Sequence, residues 1–511
     1  MLYAAAIGAL LWNHHSMFFY AWSDEQIHHY VAHRMAEGAR LYRDIDSARP
    51  PLVLYPLAWL IRMGISPLGA GRAMVLGSQL ATAGLLLWGG WRLASRRAGA
   101  LAALLFLTSP EIFSRIHYTG IQLVALTALA CVLFSFRAQP FRAGIFFGLS
   151  LATDQHAVVI CAVVGLATLV RRRRDGLSFA LGAIGVSVLV FGGVWALGGR
   201  HLWRSLVGIH LFHMHLREGA NAHFWELLKP WLYEHSYLFA GAALAIVVLG
   251  TRRTKPRPGD LHPPLWWKVR VLLLAIGAHV AVVVAMTEAA FLYMVVIFPL
   301  LALLAGMGFD ASGTWWHQHR QPAPVRSWRA SKLSLVGAVA IVALTAGGWF
   351  AARSHREDLD GRQYSFWPHV LHVQLSRFLE MNLAIQWADT QTLLPKGETI
   401  FGDSTVVSLL ALKTGRRVSG ELADLNPSWV EAGTVRPEEV VSRIEADRVG
   451  AVISPPFGLL QDVYFKSYLL TCYQRPTLFS PPEGEPGAGL PSILFFRRIA
   501  SDWPCLPPPP R

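Results

Sequence analysis

Apolar runs of about 20 residues recur through the first two thirds of the chain, each long enough to cross the ~30 Å hydrocarbon core of a bilayer. Inside lipid the backbone must satisfy its own polar groups, so such runs can only be helices or barrel strands, and their length selects helices. Composition agrees. The chain of 511 residues is 53% hydrophobic and only 15% charged, against roughly 25% charged in a soluble domain. Its mean hydropathy is +0.37. The expected fold class is a polytopic α-helical membrane protein of about 11 transmembrane helices with a C-terminal extracytoplasmic α/β domain. Candidate spans are 2–21, 72–91, 98–116, 121–137, 141–153, 157–170, 177–198, 233–251, 269–287, 290–309 and 333–352.

The formal net charge of +14 does not point to nucleic acid, because the cations sit in short clusters between spans. These are Arg92, Arg96 and Arg97; Arg137 and Arg142; Arg171 to Arg174; Arg252, Arg253, Lys255 and Arg257; and Arg320 to Lys332. Placing every cluster on the cytoplasmic side gives one consistent topology. The N-terminus is inside, the loop at Asp24-Glu25 is outside, and the tail from Arg353 is outside. Residues 141–170 decide between two arrangements. One continuous helix would overshoot the bilayer and separate Arg142 from the Arg171 cluster, so two short helices returning at Asp154-Gln155-His156 are expected. That elbow carries charge at membrane depth, which needs a wet cavity or a partner. Met1 to Trp12 lacks a basic n-region and a cleavage site and reads as a first span, interrupted by Asn13, His14, His15 and Ser16.

Two outer loops are expected, at 22–70 and 199–232, within a transmembrane domain of residues 1–352. The segment 51–65, marked by Arg62, is too short to span and reads as an interfacial helix. The second loop holds Trp203, Trp225 and Trp231 among histidines, as in a headgroup-level segment. From Gln374 the composition changes. Helices are expected at 375–394, 406–414 and 437–447, and strands at 398–403, 451–454 and 492–496, forming a small α/β unit within 353–511. The run Pro507 to Pro510 reads as disordered. Four cysteines give no disulfide framework. Cys131 and Cys161 fall within spans and read as packing, whereas Cys472 and Cys505 could pair if the tail faces an oxidising compartment.

The first outer loop carries the chemistry. Asp24 and Glu25 suit a general base at a dry but reachable edge, though taken alone an acid pair opening an amphipathic helix behind Ser23 as N-cap is the better explanation of them. Tyr42, Asp44, Asp46, Arg49 and Pro50-Pro51 follow. The aspartates fit turns, and Arg49 fits either a headgroup anchor or a fork for a phosphate. His210, His213 and His215 lack metal-ligand spacing and suit hydrogen bonding or a lipid phosphate better. Glu288 and Tyr293 stand where two outer span ends meet. There is no Walker loop, no G-x-G-x-x-G and no paired CxxC.

Ser23-Asp24-Glu25, a helix running to Gly38, Leu41-Tyr42-Arg43-Asp44, Arg49-Pro50-Pro51, Arg72 opening a span, and Tyr293 with Pro299 in a late one resemble, in this order, the GT-C superfamily of membrane glycosyltransferases. The likeness is to the branch of lipid A aminoarabinose transferases and protein mannosyltransferase-like enzymes, and it covers the whole layout. It implies inverting transfer of a sugar from a polyprenyl-phosphate donor to an extracytoplasmic acceptor. Asp24 would be the base beside Glu25. Arg49, Tyr42, Asp44, Asp46, Asp154, His156, Tyr293, His210 and His213 would line the donor-phosphate and substrate site. No metal site is expected and no nucleotide or redox cofactor is required, a divalent metal being left open. The expected partners are the lipid-linked donor, membrane lipids and the acceptor, with no nucleic acid, and the expected location is a bacterial inner membrane. Two positions depart from the family. Gln122 stands where a second acid is common, and Asp154-Gln155-His156 replaces a lysine. A transporter or flippase coupled through Asp154 and His156, and an inactive scaffold, are the competing readings.

Overall fold

The computed structural model describes residues 2–16, 25–109, 112, 117–154, 158–199, 201–203, 205–206, 232, 235–251, 264–285, 291–320, 398–419, 435–454, 460, 462–474, 477–479, 493–499 and 505. The helices are α1 (Leu2–Ser16), α2 (Glu25–Ala36), α3 (Pro51–Arg62), α4 (Pro67–Leu93), α5 (Arg96–Leu107), α6 (Ile121–Phe136), α7 (Pro140–Thr153), α8 (Val158–Arg171) and α9 (Arg173–Ser187). The last runs on through a π turn, Val188–Gly192, into Gly193–Ala196. Then come α10 (Ser236–Thr251), α11 (Leu265–Ala285) and a 3-10 stretch, Phe291–Ile297, that leads into α12 (Phe298–Arg320).

Local chemistry sets these boundaries. Pro51, Pro67 and Pro140 open α3, α4 and α7, where a missing N–H costs nothing. Ser66 and Ser95 cap α4 and α5, accepting from the N–H groups of Gly69 at 3.2 Å and Ala98 at 3.0 Å. Among the described residues, four stretches are long and apolar enough to cross a membrane: Pro67–Leu93, Arg173–Ala196, Leu265–Val284 and Tyr293–Thr314. Shorter apolar helices accompany them at Pro51–Arg62, Ile121–Phe136, Val158–Arg171 and Ser236–Val247. The two short helices expected on either side of the 154–156 elbow are α7 and α8, and the short helix expected at 51–65 is α3. The expected 290–309 span begins instead as a 3-10 stretch, and its helix reaches Arg320. The expected span 333–352 and helix 375–394 lie outside the described residues, as does most of the 199–232 loop.

Small residues let the helices approach. A Cβ on Gly144 of α7 would meet the Phe179 carbonyl of α9, and one on Gly182 would meet the Phe141 carbonyl in return. Such contacts replace the hydrophobic drive that lipid removes. Where α4, α6, α8 and α11 reach the cation clusters, arginines stack on tryptophans: Arg137 over Trp88 at 4.8 Å, Arg96 over Trp91 at 4.9 Å, and Arg171 over Trp267 at 5.8 Å. This is the rim opposite the starts of α4 and α6.

The tail forms a four-stranded mixed sheet in the order β1-β2-β4-β3, with β1 (Thr399–Gly402) parallel to β2 (Val449–Ser454). β4 (Ile493–Arg497) runs antiparallel to both β2 and β3 (Thr477–Phe479). Helices α13 (Ser404–Thr414), α14 (Pro437–Ala446) and α15 (Val463–Cys472) cover it. Sequence patterning missed α15 and β3. Cys472 at the end of α15 is disulfide-bonded to Cys505, with 5.9 Å between Cα atoms. The chain end is also held by the buried Glu445, whose carboxylate accepts from Arg498 at 2.6 and 3.1 Å and from the Cys505 N–H at 2.9 Å. One apolar core joins tail to head, with Ile27, Tyr30 and Val31 of α2 packed among Val406, Leu410 and Ile453.

Candidate functional site

The site assembles where α2, the starts of α4 and α6, and the end of α7 converge. In α2, Glu25, His28 and His29 are spaced i, i+3, i+4 and so share one helical face. All three are buried. Glu25 Oε1 accepts from the Tyr118 N–H at 2.9 Å and from Arg72 Nη1, while Oε2 accepts from Arg72 Nη2 at 3.2 Å and lies 3.2 Å from His117 Nδ1. This is a two-pronged ion pair across 47 positions of sequence, between α2 and α4. Burial pushes the Glu25 carboxyl up, but Arg72, His117 and His29 outweigh it and hold it well below the usual carboxylate range. His29 is 3.9 Å from the same carboxylate, yet burial, helped by the Arg72 cation, lowers it to about 3, so its ring is neutral. Its place depends on Gly71, since a Cβ there would collide with the ring.

A second carboxylate–arginine pair lies on the other side of Tyr118. Arg49 Nε is 3.1 Å from His28 Nε2, and Arg49 Nη1 is 3.7 Å from Asp154 Oδ2. His28 Nδ1 is 3.1 Å from the Tyr118 carbonyl, an acceptor only, so that nitrogen carries the proton and Nε2 accepts from Arg49. The Tyr118 hydroxyl donates to the Val53 carbonyl at 2.6 Å and pins α3 to the same centre. The turn into α6 is made by Gly120 at φ +85°, a left-handed conformation that side chains resist. Gln122 Nε2 donates to the His117 carbonyl at 3.2 Å and steadies that turn.

The loop 41–45 delivers Arg49. Tyr42, at φ 60° and fully buried, takes the Ile45 carbonyl on its N–H at 2.9 Å and donates its hydroxyl to the Arg49 carbonyl. A left-handed tyrosine is uncommon and persists only where its surroundings fix it. Of the expected site residues, Glu25, Tyr42, Arg49 and Asp154 meet in this network. Asp44 is exposed and accepts from the Arg40 N–H at 2.9 Å, a turn-former's role. Asp46 is buried. Tyr293 packs against the main bundle core, its carbonyl 3.0 Å from His279 Nε2. Asp24, His156, His210 and His213 lie outside the described residues. Among the described residues no group of three or more His, Cys, Asp or Glu is placed to hold a metal ion.

Arg72 as a site member, and His28, His117 and Tyr118 altogether, are additions that the structure makes to the expected site. The Glu25/His28/His29 spacing was a legible signal for the first, since an acid and two histidines on one helical face need buried partners. Nothing local in the sequence marked His117 or Tyr118.

No protein-family model and no curated protein matches the chain. Solved structures do. ArnT from Cupriavidus metallidurans bound to undecaprenyl phosphate is similar with a TM-score of 0.60 and 15% identity over 98% of both chains. The same protein in the apo state gives 0.59 and 16%, covering 98% of this chain and 97% of that one. At this identity the likeness speaks for the fold alone: the chain has the fold of ArnT, with helices long and apolar enough to cross a membrane.

Proposed function

We propose that the protein is an inverting glycosyltransferase that takes a sugar from a polyprenyl-phosphate donor and passes it to an acceptor on the non-cytoplasmic side of a bacterial inner membrane. The observation that supports this most is the pairing of a fixed arginine, Arg49, with a buried anchor around Glu25 and Arg72, in a fold shared with a protein solved with undecaprenyl phosphate bound. The acceptor hydroxyl oxygen attacks the anomeric carbon from the face opposite the phosphate. The bond from that carbon to the phosphate oxygen breaks, its electron pair leaving with the phosphate. Asp24 takes the hydroxyl proton. Arg49 meets the charge that develops on the leaving phosphate. Glu25 has a different task from the one the acid pair suggested: clamped by Arg72 and short of basicity, it positions the start of α2, and Asp24 beside it in sequence is left as the base.

The sidedness rests on two supports. The arginine clusters end α4, α6 and α8 on the rim away from this network, and cytoplasmic loops favour cations. The Cys472–Cys505 disulfide suits an oxidising compartment for the tail. The site then opens outward with the tail beside it.

Purified Asp24→Asn protein tests the assignment. Sugar transfer from a lipid-linked donor should fall by roughly 10²- to 10⁴-fold with the unfolding temperature unchanged. Transfer at the parent rate would sink Asp24 as the base, and a parent protein inert toward every polyprenyl-phosphate sugar would sink the donor class.

A further inference from the structure

Asp154 places an acid at the end of α7, and its surroundings say what that acid does. Asp154 caps the end of α7: its N–H donates to the Ser150 carbonyl at 2.9 Å, and its backbone turns extended at φ −165°. Asn or Ser would serve the backbone as well, without the cost of a carboxylate at the end of a membrane helix. The side chain instead stands 3.7 Å from Arg49 Nη1, too far for a hydrogen bond but close for a charge. Arg49 cannot swing to meet it, because its Nε is bound to His28 and His28 is bound to Tyr118. The pair is therefore held apart by the same contacts that aim the guanidinium. Asp154 is 4% exposed and Arg49 17%, so the arginine is the more accessible of the two.

We propose that Asp154 is a built-in counter-ion that sets the charge preference of the phosphate subsite, favouring a singly charged glycosyl phosphodiester over the doubly charged lipid monophosphate left after transfer. This rests on the donor class proposed above and deepens it. Arg49 attracts either ligand, while Asp154 repels each negative charge the ligand carries. At ~6 Å in a wet pocket one such repulsion is worth about threefold in affinity, so a diester loses about threefold and a dianionic monoester about tenfold. The monoester carries nearly two charges above about pH 7, its second pKa being about 6. The acid thus weakens the product more than the donor, and transfer itself raises the charge that Asp154 expels. Arg49 and the other fixed charges act on each ligand alike in the parent and in Asp154→Asn, so the change in the ratio of the two affinities isolates Asp154.

The test is the affinity of the full-length protein, in nanodiscs of zwitterionic lipid at about pH 8, for a polyprenyl monophosphate and for its glycosyl phosphodiester of equal chain length. Asp154→Asn should tighten the monophosphate about tenfold and the diester about threefold, and Asp154→Glu should keep the parent ratio. The gain should shrink as salt is raised. An unchanged ratio in Asp154→Asn, or weaker binding of the monophosphate, overturns the counter-ion role while leaving the donor class standing. A parent protein that binds neither lipid overturns both. Should Asp154→Asn fail to fold, Asp154→Ser carries the same measurement, and failure of both neutral variants would show the pair to be a structural bond and overturn the proposal.

Discussion

Two arginine–carboxylate pairs flank Tyr118, and they are built to opposite specifications. Glu25 and Arg72 are fully enclosed, doubly bonded and reinforced by a backbone N–H, with side-chain exposures of 0% and 4%. Arg49 and Asp154 stand 3.7 Å apart, and the arginine is partly open. A buried pair with every lone pair used repays its desolvation only through geometry of that quality, and it gains rigidity rather than reactivity. A pair held 3.7 Å apart, with the arginine 17% exposed, is coupled through charge more than through a shared hydrogen bond. The contrast separates an anchor from a binding group, although both are an arginine beside an acid and look alike in the sequence.

The sharpest way to break this comparison is to remove one partner from each pair. Arg72→Met leaves Glu25 charged and enclosed, and should destabilise the head by about 3–5 kcal/mol. Arg49→Gln removes a partner that stands 3.7 Å from Asp154 with no hydrogen bond between them, so the stability cost should be smaller, about 1–3 kcal/mol. Its cost should appear instead in donor affinity, by roughly 10- to 30-fold for a lost charged contact. Thermal unfolding in a fixed detergent and donor titration measure the two. If both variants lose stability equally, the distinction drawn here is false.

Acid provides a second and smaller probe. Glu25 is held below the usual carboxylate range, so its contribution is present above the unfolded value of about 4.3 and is lost as pH falls below it. His29 is lowered to about 3 from an unfolded value near 6.5, so the unfolded chain binds a proton that the fold refuses. That penalty begins as pH falls through about 6.5 and grows down to about 3. Stability should therefore decline in two stages, the upper one belonging to His29. His29→Gln should flatten the upper stage and leave the lower one, and an unaltered profile would remove His29 from the account.

The fold was largely legible in the sequence because bilayer physics leaves few choices. Span length, arginine sidedness and the overshoot of 141–170 together forced the hairpin at Asp154, and Pro-Pro at 50–51 marked the start of α3. The centre of the site was legible only in part. Arg49 and Asp154 were visible as charges in improbable places. Their pairing was not, since it joins residues about a hundred positions apart through a loop whose left-handed Tyr42 no pattern announces. Glu25 keeps two readings in the sequence for a related reason: an acid after a span is a base or an anchor until its partner, 47 residues on, is known. In the tail, α15 carries an apolar face at Phe465, Tyr468, Leu469 and Cys472, spaced i, i+3, i+4, i+7, but the exposed Val463 and Leu470 on its other side blur that period in the sequence.

Gly71 sharpens the anchor further. Its missing Cβ is what allows His29 to lie against α4, so Gly71→Ala should overpack that crossing by about 1–3 kcal/mol. The added methyl displaces the ring beside Glu25 and not the one beside Arg49. Stability should fall with donor affinity nearly intact, and a selective loss of affinity would mean that the two pairs move as one unit.

The gentlest test lies where the tail meets the anchor. The Val418 N–H donates to the Tyr30 hydroxyl at 2.8 Å, a buried bond between a tail bridge and the helix that carries Glu25. Tyr30→Phe keeps the ring in its apolar seat and deletes one acceptor, leaving a buried N–H unsatisfied, a cost of about 1–2 kcal/mol. If the tail only rests on the head, that loss should appear as easier proteolysis of the tail with transfer unchanged. If the tail instead holds α2 in place for catalysis, kcat should fall along with tail protection while donor affinity stays. Parallel limited proteolysis and steady-state transfer on Tyr30→Phe separate the two cases. We expect the first, because Glu25 is already fixed by Arg72 and the Tyr118 N–H without help from the tail.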